Sequence, residues 1–184
     1  MHILCPRVNT GDFILNRHPK SMMGGVVMSK YKIGVISDTH GLLRNEALKM
    51  LKGSDLIIHA GDVGDSTILQ KLKEIAPVVA VRGNCDIEEW AYKLNKTEAI
   101  RLGETFIYVL HNINDVDIDL EAAGFNIVIS GHSHKPLNEK NNNILFLNPG
   151  SAGPRRFKLP ISMAILNINK EKISANLVEL ALNR

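Results

Sequence analysis

Seven side chains in this sequence are of types that hold metal ions, and each follows an apolar run. Asp38 and His40 lie in "ISDTHG", Asp62 in "HAGDVG" and Asn84 in "VRGNCD". His111 closes "TFIYVLH", and His132 and His134 flank a serine in "SGHSHKP". One pair of histidines proves little, because a lone histidine at a strand end is more often structural. Seven donors at five such ends change the weighing. Gly41, Gly61, Gly83 and Gly131 stand beside these donors, where backbone must turn or approach closely. Asp38 and His40 are two residues apart, as are His132 and His134, so an extended stretch would aim both members of each pair to one side.

Seven donors exceed the three protein ligands and a water that a catalytic zinc uses. They suit two divalent ions sharing a bridging carboxylate. Oxygen and nitrogen donors without thiolate fit manganese, iron, zinc or nickel. Two such ions generate hydroxide from water and clamp the attacking and leaving oxygens of an in-line displacement.

The elements that must position these donors are legible in the hydrophobic pattern. "YKIGVIS", "DLIIHA" and "PVVAVRG" read as buried strands. Between them, "LRNEALKMLKG" places Leu43, Ala47, Leu48 and Leu51 on one helical face. "DSTILQKLKEIA" does the same with Ile68, Leu69, Leu72 and Ile75 after an N-cap at Asp65 or Ser66. That alternation predicts parallel strands with right-handed crossovers. In the rear half, Gly103-Glu104 joins "TEAIRL" to "TFIYVLH" as a hairpin. "VDIDLEAAG" is a helix candidate, and "FNIVIS", "NILFLNPG", "ISMAILNI" and "KISANLVEL" are strands. The expectation is one α/β domain over residues 31–184, more antiparallel towards its end, with the donors at the carboxyl ends of its strands.

Composition bounds the class. The chain has 184 residues, 45% hydrophobic and 22% charged, as in an ordinary globular protein. No apolar run approaches the roughly 20 residues that span a bilayer. Two cysteines, Cys5 and Cys85, argue against a disulfide framework and for a reducing, cytoplasmic setting. Residues 1–30 carry four of the 22 basic residues and one of the 19 acidic ones. The remainder holds 18 of each, so the net charge of +3 belongs to the leader. A neutral domain gives no strong nucleic-acid signal. The leader lacks an apolar segment with a small-residue cleavage site, and reads as a disordered extension or misassigned start, with Met28 opening the working protein.

In order, D-x-H, G-D, G-N, H and G-H-x-H resemble the calcineurin-like metallophosphoesterase superfamily over residues 31–184. "VISDTHG", "HAGDV", "VRGNCD", "GHSHKP" and "NPGS" are similar to its YfcE-type phosphodiesterase branch. The resemblance implies two packed mixed β-sheets flanked by helices, a four-layer α/β/β/α sandwich. It implies that Asp38, His40, Asp62 and His134 hold one ion and Asp62, Asn84, His111 and His132 the other. Manganese is the expected metal; nickel, zinc and iron are alternatives. A bridging hydroxide would attack a small phosphodiester.

On this reading Asp62, Asn84, Cys85 and His111 are the catalytic group. Asn84, Arg155 and Arg156 are candidates for binding substrate phosphate; a solvated surface pair is the plainer alternative for the two arginines. Cys85 stands where many members place a histidine that protonates the leaving group. It is a weak donor, which favours substrates whose leaving groups depart easily, with Asp86 or a metal-bound water as the substitute acid. Asn112 replaces a usual glycine and is expected to tolerate positive φ. His59 is assigned a structural role. The alternative function is a protein-interaction scaffold like the retromer's phosphoesterase-like subunit, which keeps such a donor set incompletely. Oligomeric state stays open, a homo-oligomer included.

Overall fold

The computed structural model describes residues 30–170 and 172–181. Apart from Lys30, which opens the first strand, the expected leader lies outside the described residues. The elements are β1 (Lys30–Ile36), α1 (Asn45–Leu51), β2 (Leu56–His59), α2 (Ser66–Lys73), β3 (Val78–Ala80), β4 (Thr97–Leu102) and β5 (Thr105–Leu110). They continue with β6 (Ile127–Ile129), β7 (Leu137–Asn141), β8 (Ile144–Asn148), β9 (Ser162–Asn169) and β10 (Lys172–Glu179). Two 3₁₀ turns, Glu89–Lys93 and Ile113–Asp115, complete the set. Among the described residues no helix is long and apolar enough to cross a membrane.

Two five-stranded sheets result, ordered β10-β9-β1-β2-β3 and β4-β5-β6-β8-β7. The strand–helix alternation of the front half yields the expected parallel run, with β1 beside β2 and β2 beside β3. In the second sheet β5, β6 and β8 are parallel, and β4 and β7 are antiparallel edges. All five donor-bearing strands are therefore parallel, so their carboxyl ends gather at one edge of each sheet.

Alternation within the strands divides the core. Ile33, Val35, Leu56 and Ile58 of the first sheet pack against Ile107, Val109, Ile127 and Ile129 of the second. The opposite parity, Ile36, Ile57 and Met163, packs against Ala47 and Leu51 of α1 and Ile68, Leu69 and Leu72 of α2. Parallel strands covered on both faces need near-continuous apolar residues, which is why "LIIH" and "IVI" are buried throughout. α2 begins as expected, with Asp65 accepting the Thr67 amide at 2.8 Å. The two packed mixed five-stranded sheets are those of the expected sandwich, with α1 and α2 forming the outer layer on the first sheet.

Two local expectations fail. Residues 116–124 form turns, not a helix. The Asp119 carboxylate accepts the amides of Glu121 and Ala122 at 3.1 and 3.0 Å, and Gly124 then takes φ 79°, ending the single turn. Val116, Ile118 and Leu120 still cover Tyr108, Leu110 and Val128 on the outer face of the second sheet. The second difference is β7, an additional strand whose residues, "LNEKN", are mostly exposed. It pairs with β8 through Asn142-Asn143, both at positive φ, 46° and 66°.

Ile127 is fully buried between the sheets on a central strand. Ile127→Ala should cost about 2–5 kcal/mol in urea unfolding. A loss well below 1 kcal/mol would contradict the placement of this core.

Candidate metal centre

The loops after β1 and β2 run side by side beyond the sheet. Asp38 N donates to Gly61 O at 3.0 Å, His40 N to Asp62 O at 3.0 Å, and Gly41 N to Val63 O at 2.9 Å. This extended pairing fixes Asp38, His40 and Asp62 relative to one another. From the second sheet, Gly131 N donates to His111 O at 2.9 Å, joining the ends of β5 and β6. Three contacts then tie the sheets together. The His132 amide reaches Asp38 Oδ2 at 3.1 Å, His111 Nδ1 reaches Ala60 O at 2.7 Å, and Ser151 Oγ reaches Asp38 O at 2.9 Å.

All seven donors are brought together. Around Asp38, His134 Nε2 lies 3.2 Å and His40 Nε2 3.9 Å from Oδ1, and the two imidazole nitrogens are 3.3 Å apart. Around Asp62, Oδ2 is 3.3 Å from His111 Nε2 and 3.8 Å from His40 Nε2. Asn84 Oδ1 faces His111 Nε2 at 3.1 Å and His132 Nδ1 at 3.0 Å. Asp38, Asp62, His111 and His134 are buried, whereas Asn84 and His132 are exposed. The centre thus has a closed floor and an open side.

The spacing argument needs correction. Asp38 and His40 are not in an extended stretch, and neither are His132 and His134. Asp38, His40, Asp62, His132 and His134 all take left-handed backbone, with φ 55°, 43°, 54°, 65° and 57°. Such conformations cost of order 1–3 kcal/mol each for residues of this type. The left-handed kinks keep Asp38 and His40 together but part His132 from His134, so that His134 joins Asp38 and His40 while His132 joins Asn84 and His111. Asn112 is corrected too: its φ is −110°, and its side chain accepts the Asn114 amide at 3.1 Å. The residue after His111 therefore makes no demand for glycine.

Two glycines are required by contact. A Cβ on Gly83 would overlap the amide and carboxylate of Asp62. One on Gly131 would overlap Ser37 Oγ and come within 2.8 Å of Asp38 Oδ2.

The donor set is electrostatically unfinished. Asp38 Oδ1 is buried without a hydrogen-bond partner. His111 Nδ1 donates to the Ala60 carbonyl, which leaves Nε2 as the free nitrogen. In the neutral ring that lone pair faces two oxygens, of Asp62 and Asn84. A proton or a cation must sit between them. Burial alone would lower the proton affinity of His111, but its bonds to Asp62 and the Ala60 carbonyl prevail and raise it. Burial likewise works against the charge on Asp62, yet bonds from His111 and the Cys85 amide hold its carboxyl well below the usual range. His40 is shifted down, chiefly by desolvation, against the opposing pull of Asp62 and Asp38. Buried anionic oxygens and unprotonated imidazole nitrogens converging this way are the donor chemistry of divalent cations. Three mutually close groups, Asp38/His40/His134, His40/Asp62/Cys85 and Asp38/Asp62/His111, are geometrically able to hold one.

Neighbouring residues hold the donors in place. His59, wholly buried, meets Thr39 Oγ1 at 2.9 Å while that hydroxyl donates to Val63 O at 2.9 Å. His59 therefore donates through Nε2, in the structural role expected of it. Asp86 is not placed as an acid. Its two oxygens accept the amides of Gly64 and Gly83, both at 2.9 Å, clamping the Asp62 loop to the Asn84 loop. Its position in "GNCD" gave no hint of this, since both donors are backbone. Asn148 binds Gly131 O at 2.7 Å and Ser133 Oγ at 3.1 Å, so "NPGS" supports the histidine loop. Cys85 is exposed beside the centre. Burial and the Asp62 carboxylate push its thiol up. Arg155 and Arg156 are both exposed, and the Arg156 charge is felt at His40 and Cys85.

Comparison with known proteins agrees with this architecture. Residues 31–171 match the calcineurin-like phosphoesterase superfamily domain, and the chain belongs to that family. It is 34% identical to a probable metallophosphoesterase of Methanocaldococcus jannaschii, over 88% of this chain and 89% of that protein. It is 27% identical to the phosphodiesterase YfcE of Escherichia coli, over 74% of this chain and 87% of that one. Among solved structures, Vacuolar Protein Sorting 29 of Entamoeba histolytica complexed with zinc has the same fold, with a TM-score of 0.64 and 22% identity. That likeness covers 82% of this chain and 99% of that one.

Burial holds the His59 pKa at about 4, against its ordinary 6.5. The unfolded chain therefore binds this proton at a higher pH than the folded one. Stability from this group is complete above pH 6.5 and lost as pH falls towards 4, by roughly 3 kcal/mol in total. Urea unfolding at pH 7 and pH 5 should show a steeper loss for the wild type than for His59→Gln. Equal slopes would contradict the buried, neutral assignment.

Proposed function

We propose that this chain is a two-cation phosphodiesterase. The observation that carries the reading is the shared position of Asp62 between two groups of donors. Asp38, His40, Asp62 and His134 would hold one ion, and Asp62, Asn84, His111 and His132 the other, with Asp62 as the bridge. Manganese suits the oxygen- and nitrogen-rich set best; nickel, zinc or iron are alternatives. Two divalent cations bound there would neutralise phosphate charge and activate water at neutral pH.

The chain's own residues then have distinct tasks. The bonds to Asp62 keep it ionised, so it bridges without first losing a proton. The bond from His111 Nδ1 to Ala60 O presents Nε2 inward. Asn84, on the open side, orients a phosphate oxygen through its amide. Arg156, whose charge is felt at His40 and Cys85, anchors a non-bridging phosphate oxygen, and Arg155 is left as a surface residue. Cys85, with a thiol held protonated, is a poor general acid. Substrates with leaving groups that depart unprotonated are therefore favoured, and a small phosphodiester fits. An exposed free thiol suits a reducing, cytoplasmic compartment. A protein-interaction scaffold needs no such cluster, and the complete donor set favours the enzyme.

With manganese added, hydrolysis of an aryl phosphodiester should fall more than about 100-fold in Asp62→Asn, beyond the range of outer-shell changes. Wild-type turnover by that variant would sink the reading. Wild-type activity should also decline on the acid side, because ligand histidines must be neutral to bind metal; a flat profile from pH 5 to 8 would contradict this. Arg156→Ala should raise KM about tenfold, the value of one charge-assisted bond, while Arg155→Ala changes it little. Equal effects of the two would remove Arg156 from the substrate site.

A further inference from the structure

Cys85 belongs to neither of the two donor groups assigned above, yet its sulfur is not remote from them. Cys85 Sγ, a His40 ring nitrogen and an Asp62 carboxylate oxygen lie within 4.8 Å of one another. The placement is built in by the backbone: the Cys85 amide donates to Asp62 Oδ1 at 2.8 Å, and Asn84 Nδ2 lies 3.4 Å from the sulfur. The His40 nitrogen itself lies among carboxylate oxygens. Asp38 Oδ1, buried and without a hydrogen-bond partner, is 3.9 Å from His40 Nε2, the nitrogen that approaches Asp62 Oδ2 at 3.8 Å. A cation on His40 thus has a carboxylate oxygen of Asp62 and the sulfur of Cys85 within reach.

We propose that His40, Asp62 and Cys85 form a third, thiolate-containing donor set that captures thiophilic divalent cations such as cadmium. The inference rests on the two-cation reading, whose ligands it shares. A metal–sulfur bond forms, the S–H bond breaks, and the proton leaves to solvent; no electron is transferred. Hard cations such as manganese or magnesium prefer oxygen and leave the thiol protonated. A captured soft cation engages His40 and Asp62, two residues that the hydrolytic arrangement requires. The site then discriminates by softness: hard metals support hydrolysis, and soft ones are drawn into an inhibited arrangement.

The test uses the full chain with Cys5→Ser, so that Cys85 is the sole thiol. Cadmium is titrated while ultraviolet sulfur-to-cadmium charge-transfer absorption and the rate of Cys85 alkylation by iodoacetamide are followed. Bound metal is counted by atomic emission. The expected result is a band amounting to one thiolate per protein and alkylation slowed about tenfold or more. Adding Cys85→Ser should abolish the band. Cadmium bound with no band and unslowed alkylation would overturn the third set and leave the two-cation reading standing. A protein that retains neither cadmium nor manganese would sink both.

Discussion

Two buried carboxylates and four imidazoles meet at the junction of the two sheets, and among the described residues no lysine or arginine forms an ion pair with those carboxylates. Asp38 Oδ1 has no hydrogen-bond partner, and the Nε2 atoms of His40 and His134 face each other across 3.3 Å. Such an arrangement is costly in a folded chain unless positive charge is supplied. Protons supply part of it, as the raised affinity of His111 indicates. Divalent cations would supply it more completely, since each satisfies several lone pairs at once. The rest of the site follows from this need: donors must arrive from both sheets, and the backbone must hold them despite their mutual repulsion.

The holding is done by backbone more than by side-chain packing. Five donor residues lie in left-handed conformation, a concentration of strain that only a rigid frame sustains. The frame is visible in the paired loops after β1 and β2, the Asp86 clamp and the Asn148 support. Gly83 and Gly131 let backbone approach the carboxylates where any side chain would displace them. Rigidity at the floor contrasts with the open side, where Asn84, Cys85 and His132 meet solvent. That open side is the one by which the proposed substrate would reach the donors.

Much of this was legible in the residues. The parallel front half follows from two amphipathic stripes between β-branched runs, and the convergence of the seven donors follows from their places at strand ends. What escaped has physical causes. β7 carries "LNEKN", an edge strand with no apolar alternation to reveal it. Residues 116–124 have helix-like composition, but Asp119 caps a turn locally and Gly124 stops it. Extended spacing misjudged Asp38/His40 and His132/His134, because left-handed backbone is a tertiary consequence that pattern does not encode. Asp86 looked like a spare acid because its partners are amides, which carry no sequence identity.

The most direct measurement is an anomalous difference map from crystals grown with manganese. The account predicts two peaks, one on each side of the Asp62 carboxylate, the first beside Asp38 and His134 and the second beside Asn84, His111 and His132. A single peak, or two that do not share Asp62, would contradict it.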